Sequence, residues 1–124
     1  MADEPLPPLE HELRRALRFI RRSFHRHPRL PEIARAARLS PFHFHRQFKR
    51  RYGQTPRQMV SQLQVARAKE LMLRGVLLKR VATRCGFSHQ SHFVTRFKLA
   101  SGTTPARWLR ANGGTRTDRQ PGES

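Results

Sequence analysis

The sequence predicts an all-α protein: seven helices arranged as two helix-turn-helix subdomains joined by a long linking helix. Three observations carry this expectation. No segment shows sustained period-two alternation rich in β-branched or aromatic residues, so strands are not indicated. Apolar residues recur instead at three- and four-residue steps, the spacing of one helix face. The chain also repeats itself. Ile33-Ala34 and Leu39-Ser40 return 48 residues later as Val81-Ala82 and Phe87-Ser88, while Phe44, Phe48, Lys49, Gly53, Thr55 and Pro56 return 49 residues later as Phe93, Phe97, Lys98, Gly102, Thr104 and Pro105.

The elements follow in chain order. Residues 1–8 are acidic and proline-rich and are expected to be disordered, as is the polar tail 112–124. The folded domain is expected over 9–111 of the 124 residues, a length that suits a single domain. In the first helix Leu9, Leu13, Ala16, Leu17, Ile20 and Phe24 form an apolar stripe, and Arg14, Arg15, Arg18, Arg21 and Arg22 occupy the other faces. A basic amphipathic helix suits an anionic membrane or a calmodulin-like partner. The apolar helices that follow offer this stripe a packing partner, and burial in the core is the favoured reading.

Each repeat then has the same grammar. A short helix, 30–37 or 78–85, turns Ile33 or Val81 inward, and Ala34 or Ala82 lets a second helix approach closely. Ser40 and Ser88 stand where an N-cap hydroxyl would satisfy an orphan amide, and Pro41 suits the first helical position. The second helix buries Phe44/Phe48 or Phe93/Phe97, four residues apart on one face. Gly53 and Gly102 can take the left-handed conformation that ends it, and Thr55-Pro56 and Thr104-Pro105 start the next helix. The first helix-turn-helix is thus expected at about 30–52, the linking helix at 56–73 and the second helix-turn-helix at about 78–100, with Trp108 and Leu109 anchoring a last helix.

Charge narrows the function. Residues 33–117 hold 18 Lys and Arg but one acid, Glu70, a net +17 within a chain of +18. Self-repulsion at that density disfavours a compact state, and a polyanion relieves it, so nucleic acid is the expected partner. A single cysteine, Cys85, excludes an internal disulfide framework and fits a reducing, intracellular setting. No apolar run approaches the roughly 20 residues of a membrane span. One acid across the folded stretch leaves no carboxylate pair, and neither a Gly-rich phosphate loop nor a nucleophile elbow appears, so no enzymatic activity is expected.

The stretch Val81-Ala-Thr-Arg-Cys-Gly-Phe-Ser-His-Gln-Ser-His-Phe-Val-Thr-Arg-Phe-Lys98, followed by Gly102-Thr-Thr-Pro105, resembles the second helix-turn-helix signature of AraC/XylS-type bacterial transcription regulators. Residues 30–56 are similar to the family's first unit and Ala66-Arg67-Ala68-Lys69-Glu70-Leu71 to the end of its linking helix, so that the likeness covers 13–110. The resemblance implies a two-lobed domain whose recognition helices enter successive major grooves of double-stranded DNA. It also implies transcriptional activation with RNA polymerase as protein partner, in the bacterial cytoplasm. No attached effector domain is evident, and the chain looks like the short members that bind asymmetric sites as monomers, without a small-molecule effector or cofactor. A linking helix of this size spans about 27 Å against a groove repeat of about 34 Å, so bent DNA or incomplete insertion of one helix is expected. Three positions depart from the pattern. Arg38 stands where the second repeat has Gly86, so the first turn either strains a non-glycine residue or bends differently. Gln64 stands where the family commonly has arginine, and Thr95 stands opposite Arg46 of the first repeat.

With Phe44 and Phe48 inward, Phe42, His45, Arg46 and Lys49 project from the first recognition helix; in the second, Gln90, Ser91, Thr95 and Lys98 do so. Arg46 can fork onto guanine, Gln90 can pair with adenine and Phe42 can meet a thymine methyl. Phe42, His45, Arg46, Gln90, Ser91 and Thr95 are the expected base contacts. Lys49, Arg50, Arg51, Arg57, Arg84, Arg96 and Lys98 are expected on phosphates, where they position without selecting sequence. His43-x-His45 and His89-x-x-His92 contain metal-capable side chains, but there is no second cysteine or acid cluster to complete a tetrahedron, and no metal is expected. Cys85, matching Ala37, reads as a small buried hydrophobe.

Overall fold

The computed structural model describes residues 6–113. Among them are seven α-helices and one 3-10 turn: α1 (Leu6–Ser23), the turn Phe24–Arg26, α2 (Leu30–Ala37), α3 (Pro41–Tyr52), α4 (Pro56–Leu73), α5 (Leu78–Arg84), α6 (Gln90–Ser101) and α7 (Pro105–Ala111). Helix α1 starts three residues before the expected position 9. The rest of the expected disordered ends, 1–5 and 114–124, lies outside the described residues. The chain divides into two compact units, one ending at Val60 and the other beginning at Ser61.

The first unit is built on α1, α2, α3 and the first turn of α4. Leu13, Ala16 and Ile20 of α1 meet Ile33, Ala34 and Ala37 of α2 and Phe44 and Phe48 of α3 in a core where none is more than 1 % exposed. The Phe44 and Phe48 rings lie 5.4 Å apart between centroids, and Tyr52 extends the row at 4.8 Å from Phe48. Aromatic pairs at such distances add to their area burial.

The turn between α2 and α3 uses a residue of the wrong type. Arg38 sits in the left-handed region (φ 61°, ψ 37°), and the following Leu39 N–H donates to the Ala34 carbonyl at 3.1 Å. In the second unit Gly86 (φ 94°) takes that place, and the Phe87 N–H donates to Ala82 at 3.0 Å. The two turns thus make the same bond, and the open alternative is resolved: the first keeps the geometry and strains an arginine, at a cost of roughly 1–2 kcal/mol.

Helix α3 starts where Ser40 Oγ accepts the His43 N–H at 3.3 Å, with Pro41 at the first position, and ends at Gly53 (φ 75°). A reciprocal capping box opens α4: the Gln58 N–H donates to Thr55 Oγ1 at 3.1 Å, and the Thr55 N–H donates to Gln58 Oε1 at 2.8 Å.

The second unit closes the remainder of α4, with α5, α6 and α7, over Val65, Ala68, Leu71, Met72, Val81, Ala82, Cys85, Phe87, Phe93, Phe97 and Leu109. Its aromatic row runs Phe87, Phe93, Phe97, Trp108 at centroid spacings of 5.5, 5.8 and 6.2 Å. Lys69 of α4 lies over it, its Nζ 5.2 Å from the Trp108 ring and 5.8 Å from Phe97, a cation–π contact tying α4 to α6 and α7. One expected cap is corrected. The N-cap of α6 is His89, without a side-chain bond, rather than Ser88, because the extra residue after Ser88 lets the helix begin one position later. Thr104 does cap α7, accepting the Arg107 N–H at 3.3 Å.

Candidate nucleic-acid interface

Burial of Phe44 and Phe48 fixes what α3 shows to solvent. Residues four apart stack along one ridge, and here that ridge is Phe42, Arg46 and Arg50, all exposed. Phe42 is 72 % exposed, unusual for so large an apolar ring. The Arg46 guanidinium lies 5.5 Å from its centroid. Such stacking at an exposed site is worth about 0.5–1 kcal/mol and pre-orients the five-donor fork. His45 falls at the edge of the ridge and is half-buried; Lys49 flanks it and is exposed.

Helix α6 presents the corresponding ridge 49 positions later, Ser91, Thr95 and Leu99, again fully outward, with Gln90 and Lys98 exposed beside it. Its chemistry differs. The Thr95 hydroxyl donates to the Ser91 carbonyl at 3.1 Å, so its proton is spent on the helix itself; a methyl and an acceptor lone pair remain for a ligand. Leu99, 73 % exposed, replaces the Arg50 guanidinium with a hydrocarbon. Leu99 escaped the reading of the sequence, although carrying the repeat offset one turn past Thr95 reveals it.

The expected phosphate contacts separate into two groups. Lys49, Arg50, Arg57, Arg84 and Lys98 are exposed. Arg96 is half-buried and already engaged. Arg51 is held by Glu10 of α1, donating from Nε at 2.8 Å and from its terminal nitrogen at 3.3 Å, and it also stacks 5.0 Å from the Tyr52 ring. The Arg51 hydrogen bond, aided by Arg14, holds the Glu10 carboxyl below its usual range against the opposing effect of desolvation. Glu70 accepts from Arg67 at 2.8 Å. Cys85 is buried and its thiol is pushed up to about 11 by desolvation, the behaviour of a packing residue rather than a nucleophile. Among the described residues no group of three His, Cys, Asp or Glu side chains could hold a metal ion, and no helix is long and apolar enough to cross a membrane.

Two helix-turn-helix units, each with an exposed second-helix ridge on a strongly basic chain, define a class of DNA-binding protein. Comparison with known proteins narrows the class to a family. A family model described as a helix-turn-helix domain matches residues 33–111, and the chain belongs to the AraC-type helix-turn-helix transcription regulators, which bind DNA. It is 31 % identical over 91 residues to the bifunctional transcriptional activator/DNA repair enzyme AdaA of Bacillus subtilis (strain 168), a match covering 73 % of this chain and 43 % of that one. The chain thus spans less than half the length of this relative. The C-terminal domain of AraT, a response regulator from Geobacillus stearothermophilus, superposes with a TM-score of 0.78 at 28 % identity, over 83 % of this chain and 87 % of that one. The DNA-binding domain of the global transcriptional factor AdpA, crystallised with a target DNA, shares the fold at a TM-score of 0.74 and 24 % identity, over 82 % and 96 % of the two chains.

Proposed function

We propose that this chain is a sequence-specific transcription activator that binds an asymmetric double-stranded DNA site as a monomer, one recognition helix to each of two successive major grooves. The observation that carries the reading is the inequality of the two ridges. Phe42-Arg46-Arg50 and Ser91-Thr95-Leu99 occupy equivalent helical positions yet offer opposite chemistry, a stacked guanidinium against hydroxyls and a methyl. One chain therefore holds two different readers, and two different half-sites need no second copy.

In this reading Arg46 forks onto guanine O6 and N7, while Phe42 packs on a neighbouring thymine methyl and His45 reaches the groove edge. Gln90 pairs with adenine, and Ser91 and Thr95 read a thymine-rich step. Lys49, Arg50, Arg57, Arg84, Arg96 and Lys98 neutralise phosphates, Arg96 by exchanging its present partner. Arg51 joins them only by sharing or releasing Glu10. Leu99 offers a phosphate nothing, so the second helix contributes less electrostatic affinity than the first. The function is one of binding without catalysis, in the bacterial cytoplasm, with RNA polymerase recruited as protein partner. The activator name carried by the AdaA relative supports the direction of regulation.

Selection from random duplexes tests the proposal directly. The expected outcome is a bipartite, non-palindromic motif of about two groove repeats, guanine-containing in one half and thymine-rich in the other, bound one chain per duplex by native mass spectrometry. A palindromic motif bound by two chains overturns the monomer. Recovery of no motif, with competitor DNA displacing the protein uniformly, leaves only a nonspecific architectural binder.

A further inference from the structure

Helix α1 carries a cationic surface that the reading of the two recognition helices leaves unused. Burial of Leu13, Ala16 and Ile20 fixes its inward face. At about 100° per residue, Arg14, Arg18, Arg21 and Arg22 then fall on the opposite side, and all four are exposed. The helix has two described carboxylates, and both are taken. Glu10 holds Arg51 and Arg14, the latter at 3.2 Å, and Glu12 holds Arg15 at 3.4 Å. No carboxylate among the described residues pairs with Arg18, Arg21 or Arg22.

The ridge is also placed. Glu10 bridges α1 to the C-terminal end of α3 through Arg51, and the Tyr52 hydroxyl there, shifted upward chiefly by burial, feels the charges of Arg14 and Arg21 as well. Arg14 and Arg21 therefore lie on the side of α1 nearest the basic end of the recognition helix, Lys49-Arg50-Arg51, and Arg18 and Arg22 extend the same exposed surface outward from it. Four guanidinium groups over nine residues span about 12 Å of helix, a density close to one charge per 3.4 Å along a DNA strand.

We propose that the Arg14-Arg18-Arg21-Arg22 ridge of α1 is a second phosphate-binding surface, gripping the DNA backbone beyond the groove that α3 enters. The proposal rests on the DNA-binding reading above. A membrane surface is the weaker partner, because binding to lipid in the interfacial plane needs an apolar face to insert. That face of α1 is consumed in the core.

The triple variant Arg18→Gln/Arg21→Gln/Arg22→Gln tests it on the full chain, with the selected site placed in a long duplex and in one trimmed flush to the motif. Each lost phosphate contact lowers the slope of log affinity against log salt by about 0.9. The expected result is a slope shallower by about 2–3 on the long duplex and unchanged on the trimmed one, with the triple Arg→Lys variant behaving as wild type. Unchanged helicity and melting temperature exclude misfolding. A wild-type slope on the long duplex overturns the ridge, and so does an equal loss on both duplexes, which reports general charge alone. Loss of pelleting with phosphatidylglycerol vesicles without change on DNA also overturns it, in favour of lipid. If the wild type itself selects no motif, the DNA-binding reading is what fails.

Discussion

Arg46 concentrates the chemistry of the first unit in one side chain. Its guanidinium is already stacked on Phe42, which favours one orientation of the fork and lowers part of the rotamer entropy lost on binding. Arg46→Ala should cost about 1–3 kcal/mol and relax discrimination at one base pair. Competition binding against single-base variants of the selected site checks this, and equal weakening on every sequence would make Arg46 a phosphate contact. Cys85 behaves oppositely, as a group the fold silences. Burial raises its thiol from the usual value of 9.0 to about 11. The linkage sign follows: a raised folded value adds stability that is complete below pH 9 and is lost as pH climbs toward 11. Alkaline melts of wild type should therefore fall more steeply over that window than those of Cys85→Ala, and thiol reagents at pH 8 should label Cys85 only on unfolding.

At the scale of elements, the chain's left-handed positions give a matched pair of expectations. Arg38 and Gly102 both have positive φ, 61° and 79°, and a Cβ added at Gly102 would meet nothing within 4 Å. Backbone strain is then the main difference in each substitution. Arg38→Gly should stabilise the first unit by about 1 kcal/mol, and Gly102→Ala should destabilise the second by a similar amount. Urea titrations read both. The same elements show what a sequence discloses. Helix ends with local chemistry were legible: Ser40, Thr55 and Thr104 each cap through a bond to a residue three positions on, and Gly53 and Gly102 close their helices. The inward phenylalanines were legible because period 3.6 places them. Two features were not. The N-cap of α6 at His89 turned on one inserted residue, which a repeat comparison places on either side of the cap. The Arg51–Glu10 pair joins residues 41 apart, and no local pattern announces a contact made only when α1 folds across the end of α3. Helical spacing had already set the arginines of α1 apart from its apolar stripe; the burial of Leu13, Ala16 and Ile20 shows which side of the helix is left to solvent.

The whole molecule is governed by its charge, and there salt must act in two opposite directions. A net +18 on 124 residues opposes the compact state, because like charges are brought closer by folding. The described ion pairs relieve this locally: Glu10, Glu12 and Glu70 each bind arginine, and none of these pairs is fully buried. Raising salt from 50 to 200 mM shortens the Debye length from about 14 Å to about 7 Å and screens the remaining repulsion. The free protein should therefore melt at a higher temperature in the stronger salt. Binding to DNA should move the other way, since each neutralised phosphate releases counterions whose return the added salt favours. With six to ten phosphate contacts the affinity should drop by about 10³–10⁵ over the same range. Differential scanning fluorimetry and fluorescence anisotropy on one salt series measure the two effects together. A melting temperature that falls with salt would mean that the ion pairs outweigh the self-repulsion. An affinity that stays flat would mean that the cationic surfaces do not touch the backbone.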